Sequence, residues 1–94
     1  MTKEKAKELY ELTKQVPEEK RQIAANLVEE IIFLYDTMGN LKEQIQKHGT
    51  VELFEQGKQR FMRESPAMKS YTTAVQRYGA LYKQLTDLMP KTAP

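Results

Sequence analysis

Ninety-four residues make one small domain, and 39% hydrophobic with 30% charged residues supplies amphipathic helices but only a lean independent core. Fifteen Lys and Arg against thirteen Asp and Glu leave a net charge of +2, which excludes a chain that is one continuous basic stripe. Without cysteine there is no disulfide, thiol nucleophile or zinc thiolate, which suits a reducing cytoplasm. The start MTKEKAKELY has no apolar signal core, and no run reaches the roughly eighteen apolar residues of a membrane span, so no membrane partner is expected.

Thr2 is a cap for a first helix, whose Ala6, Leu9, Tyr10 and Leu12 form a ragged apolar face to about residue 15. Val16-Pro17 marks a break, because the residue before proline avoids the helical region. Pro17 itself fits the first turn of a new helix, with Glu18 and Glu19 near its positive end. The next helix is the clearest element. Leu27, Ile31, Leu34, Met38, Leu41 and Ile45 alternate steps of four and three, and Val28, Ile32 and Tyr35 run beside them as a second stripe. Two adjacent stripes predict neighbours on both sides. Gly39-Asn40 is a weak point where a kink fits, and Gly49 after His48 suits a left-handed stop.

From residue 50 to 64 the period changes. Val51, Leu53, Phe61 and Met62 lie in near-alternation with polar residues around the turn Gln56-Gly57-Lys58, which predicts a β-hairpin. Such a hairpin is marginal alone in water and requires cover. Ser65 and Pro66 then open a final helix as cap and first residue. Met68, Tyr71, Val75, Tyr78, Tyr82, Leu85 and Met89 repeat along it at helical spacing, and Pro90 ends it. The expected fold is mainly α: a short N-terminal helix, then two long antiparallel amphipathic helices joined by a small β-hairpin, assembling into a helical oligomer. Residues 1–90 form a single helical domain. It divides into an N-terminal helix and turn over 1–22, a long helix over 23–49, the hairpin over 50–64 and the last helix over 65–89. The tail Lys91-Thr92-Ala93-Pro94 is expected to fray.

Catalytic groups are scarce. His48 is the single histidine, and at a helix C-terminus it serves as a favourable cation. The four glycines are scattered singly, so no phosphate-binding fingerprint exists. Glu29, Glu30 and Asp36 read as a solvated helix face. No catalytic residue, cofactor or metal site is expected, and the chain reads as no enzyme.

Apolar stripes exceed what one chain can bury, which predicts a homo-oligomer. Its expected interface is Leu27, Ile31, Leu34, Met38, Leu41 and Ile45 on the long helix. Leu53, Phe54 and Phe61 on the hairpin join it, with Tyr71, Tyr78, Tyr82 and Leu85 on the last helix. Basic residues form two groups, Lys3, Lys5, Lys7, Lys14, Lys20 and Arg21 near the start, and Lys58, Arg60, Arg63 and Lys69 around the hairpin. Glu4, Glu8, Glu11, Glu18 and Glu19 dilute the first, and Glu52, Glu55 and Glu64 the second. Each alone reads as solvated surface. Repeated around many copies, either becomes a belt, and phosphate binding depends on how many charges engage.

The order of pieces, "EQIQKHGTVELF", then "EQGKQRFMRE", then "SPAMKSYTTAVQRYGALYKQLTDLMP", resembles the short-type small terminase subunits of tailed bacteriophages. Gly49, Gly57, the Ser65-Pro66-Ala67 step and the Leu81, Leu85, Leu88 ending carry the resemblance, which covers most of residues 8 to 90. Where that family usually has an Arg-bearing end after the final proline, this chain has Lys91-Thr92-Ala93-Pro94. The resemblance implies a non-enzymatic DNA-packaging adaptor in the cytoplasm of a bacterial host. Its implied partners are further copies of itself in a ring, double-stranded viral DNA and a large terminase subunit with motor and nuclease activity. A different expectation stands beside it: a small helical phage or bacterial regulatory or anti-defence protein that binds a protein or a nucleotide and no DNA.

Overall fold

A computed structural model describes residues 1–90; the tail expected to fray, 91–94, lies outside the described residues. Thr2 caps α1 (Lys3–Leu12), its hydroxyl accepting from the Lys5 N–H at 3.2 Å. A 3-10 turn, Thr13–Gln15, follows, and Val16 is extended at φ −78° and ψ 142°, as a residue before proline is driven to be. Pro17 does not open the long helix. Its ψ of 140° holds it outside the helical region, and a second 3-10 turn, Glu18–Lys20, intervenes before α2 (Arg21–His48). Arg21 secures this break, donating from Nε to the Val16 carbonyl at 3.0 Å and from Nη2 to the Lys14 carbonyl at 3.2 Å.

α2 runs unbroken through Gly39 and ends at Gly49, whose N–H reaches the Ile45 carbonyl at 2.7 Å. The stop differs from the left-handed cap expected there. At φ 84° and ψ 175° Gly49 occupies a mirror-extended region that sends the chain straight into β1 (Val51–Gln56). β1 pairs antiparallel with β2 (Gln59–Glu64), from Val51 opposite Glu64 to Gln56 opposite Gln59. The turn is Gly57-Lys58, with positive φ at the glycine alone, as a glycine-first hairpin turn requires. The Ser65 N–H closes the hairpin's base on the Thr50 carbonyl at 2.9 Å. Buried Ser65 then caps α3 (Pro66–Leu88), its Oγ accepting from the Met68 N–H at 3.1 Å.

α2 and α3 are antiparallel: Tyr35 meets Tyr78 and Lys42 meets Tyr71, so an advance of seven on one is a retreat of seven on the other. The core sits at one end of this pair. There α1 and the break fold back, and Leu9 and Val16 join Ala24, Val28, Ile31 and Leu85 in one buried cluster. Full burial of an Ile31 or Leu85 side chain contributes roughly 1.5–3 kcal/mol each. The N-terminal segment reaches along the pair as far as Tyr35 and Asp36; past them Met38, Leu41 and Ile45 are half-buried in a seam of two helices. The hairpin extends past the far end, with every residue of β2 exposed.

The molecule measures 62 × 25 × 24 Å, and its radius of gyration of 18.3 Å compares with about 12 Å for a compact domain of this length. Its accessible surface of 7478 Å² is about a third above the roughly 5,600 Å² expected of an 11.0 kDa monomer.

Candidate nucleic-acid and assembly interface

The ten basic residues of the two groups singled out in the sequence split between the two ends of the rod. Lys3, Lys5, Lys7, Lys14, Lys20 and Arg21 sit around α1 and the break, while Lys58, Arg60 and Arg63 lie on the hairpin and Lys69 in the first turns of α3. Four are engaged within the chain. Lys14 pairs with Glu11 at 3.1 Å and Arg60 with Glu55 at 2.9 Å. Arg63 pairs with Glu52 at 2.6 Å and lies 4.3 Å above the Phe54 ring centroid. Arg21 holds two carbonyls, as above. Among the described residues of these two groups, Lys3, Lys5, Lys7, Lys20, Lys58 and Lys69 are exposed and make no ion pair. Exposed pairs such as Arg60–Glu55 hold the side chain weakly and do not remove it from reach.

The expected assembly residues also divide. Ile31 and Leu85 are 0% and 2% exposed inside the chain's own core, which corrects their assignment to a subunit interface. Leu27, Tyr78 and Tyr82 pack against that same core as half-buried neighbours. Met38, Leu41, Ile45 and Tyr71 are half-buried along the two-helix seam.

On the hairpin the register sorts side chains by face. Phe54 and Phe61 meet at 5.0 Å, tilted, on the same side as Glu52 and Arg63; Phe54 is half-buried there and Phe61 remains 48% exposed. The other side carries Leu53 opposite Met62 and Val51 opposite Glu64, with the Glu55–Arg60 pair toward the tip. Nothing among the described residues covers it: Val51 and Leu53 are 50% exposed and Met62 60%.

A groove runs along the side of the α2–α3 pair, lined by Phe33, Leu34, Ala80 and Leu81 and continuing past Ala74. Leu34 and Arg77 border both stretches, with Glu30, Lys69 and Gln84 at the rim. Phe33 is 65% exposed there. The apolar stripes of α2 omit Phe33, and that omission is its signal: a large ring off the face that packs stays largely uncovered among the described residues.

A separate hollow lies where α1 crosses the pair, walled by Met1, Leu9, Leu12, Tyr35, Tyr78 and Tyr82 with Lys5 and Glu8 at its edge. Tyr78 sits 5.2 Å from Tyr82 and 6.3 Å from Tyr35, ring to ring. Burial first, then the adjoining Tyr82 and Tyr35, push the Tyr78 hydroxyl above the usual tyrosine range. Among the described residues no group of three or more His, Asp or Glu side chains is placed to hold a metal ion, and His48 stands in the last turn of α2 beside Lys47. No helix among them is long and apolar enough to cross a membrane.

No protein-family model matches the chain, and no curated protein or solved structure matches it either.

Proposed function

We propose that this chain is a packaging adaptor of the small terminase kind: copies assemble through their helices and hairpins, and their lysines hold viral DNA. The assembly engages a large motor and nuclease subunit in the host cytoplasm and catalyses nothing itself. One observation carries this reading. The chain leaves about 1,900 Å² more surface uncovered than a monomer of its mass should, with Phe33, Val51, Leu53 and Met62 in it. That excess on one copy is about twice the roughly 800 Å² that a standard interface covers on each partner. The DNA part is supported by six exposed lysines of the two basic groups that make no ion pair among the described residues, few per copy but multiplied by copy number.

Light scattering at tens of micromolar tests assembly, with a multiple of the chain's 11.0 kDa expected. A monomer overturns the reading. Duplex DNA of mixed sequence tests the rest: retention at low salt that falls steeply as salt rises is expected, and absence of retention even at low salt removes DNA from the partners.

The second reading, a small regulator or anti-defence protein without DNA contact, is favoured by the tyrosine-walled hollow beside Lys5, where an aromatic or anionic ligand fits. A monomer that ignores DNA yet melts several degrees higher with a nucleotide would favour it.

A further inference from the structure

We propose that the aliphatic face of the hairpin, Val51, Leu53 and Met62, docks in the α2–α3 groove of a second copy, against its Phe33, Leu34 and Leu81. The contact rests on the assembling reading above and specifies its joint.

The two surfaces differ in shape and lie on different parts of the protomer. The first is the side of a projecting two-stranded ribbon, and the second is a furrow between two helices. A projecting ribbon fits a furrow better than it fits a like ribbon. Their dimensions agree: six strand residues extend about 20 Å, and the ten-residue step along α3 from Ala74 to Gln84 runs about 15 Å. Ala74 and Ala80 keep the furrow floor low, so a strand can approach closely. The charges agree as well. Glu64, opposite Val51 on the docking face, makes no ion pair among the described residues, and neither do Arg77 and Lys69 at the furrow's edge.

Area decides between a symmetric pair and a chain of contacts. A standard interface covers about 800 Å² on each partner. The excess of about 1,900 Å² is twice that, enough for two separate patches per copy. A two-fold pair of hairpins covers one patch and leaves the groove open. Hairpin into groove uses both, each copy giving one and receiving the other, and such a head-to-tail contact closes into a ring or runs on as a filament.

Two variants test it. Met62→Lys spoils the hairpin and leaves the groove, while Phe33→Lys spoils the groove and leaves the hairpin. Both positions are exposed, so the circular dichroism and melting of each protomer serve as the folding control. Each variant alone is expected as a monomer by light scattering at ten micromolar, with the affinity between copies lowered at least tenfold. Mixed one to one, they retain one intact joint and should give a dimer containing one of each. Retained oligomers in either variant, or a mixture that stays monomeric, overturn the proposal.

A second measurement uses the absence of cysteine. Leu53→Cys and Phe33→Cys proteins, mixed and oxidised, are expected to form the mixed disulfide between the two variants. Only Leu53→Cys pairing with itself, in a chain that light scattering shows oligomeric, overturns the joint and leaves the assembling reading intact. A monomeric unmodified chain removes both.

Discussion

At Gly49 the backbone adopts φ 84° and ψ 175°, a region that only glycine enters at low cost. A methyl group there would meet nothing closer than the Val51 carbonyl at 3.9 Å, so the penalty of substitution is one of backbone conformation alone. Gly49→Ala is expected to lose about 1–3 kcal/mol in urea unfolding, with the α2–α3 seam intact and the hairpin re-aimed. Tyr78 makes a different demand. Its folded pKa is raised above 10.0, so near neutral pH the hydroxyl is protonated in both folded and unfolded chains and is silent. Above pH 10 the unfolded chain releases the proton while the folded one retains it, so stability falls as pH rises toward the folded value. Melting temperatures between pH 9 and 11 are expected to fall more steeply for the native chain than for Tyr78→Phe. Equal slopes would place the hydroxyl in ordinary solvent.

Among the elements, the break between α1 and α2 decides where the third layer of the molecule lies. Arg21 holds it by two carbonyl bonds, although its position in the basic group makes it look like a DNA contact. Arg21→Ala is expected to cost about 1 kcal/mol in thermal unfolding and to leave DNA retention nearly unchanged once the protein is folded. A large loss of retention at full stability would return Arg21 to the DNA surface. The helices and the hairpin are legible in the sequence because their signals are local: Thr2 and Ser65 as caps, the four-and-three spacing of α2, alternation around Gly57. What covers each stripe is not local. Ile31 and Leu34 lie one turn apart on the same stripe, yet Ile31 is sealed within the cluster that α1 and Val16 complete while Leu34 opens on the groove. That division follows from the path of the chain around Pro17, where two 3-10 turns replace the helix start that the proline suggests. The free lysines are likewise illegible until ion pairs are placed. Arg60 and Arg63 look equivalent to Lys58 in the sequence and differ only through Glu55 and Glu52 across the strands.

As a whole, the molecule is a rod with cations at both ends and an apolar furrow between them. Its 62 Å length keeps the lysines of α1 far from Lys58 at the hairpin tip, so one duplex lying against one end of an assembly engages one group. Replacing Lys3, Lys7 and Lys20 by alanine is expected to flatten the salt dependence of DNA retention if that end is the contact, and Lys58→Ala if the other is. Equal effects from both would mean that DNA runs the length of the rod. The exposed turn at Gly57-Lys58 has one further consequence. The polypeptide can be severed there while the pairing of long helices on either side remains, because the caps of α2 and α3 lie at Gly49 and Ser65, away from the loop. Trypsin should nick there early, after Lys58, and the two pieces, 1–58 and 59–94, should stay together through gel filtration. Expressed as separate genes they should find each other, making this chain a split protein whose halves reunite along a zipper of their own.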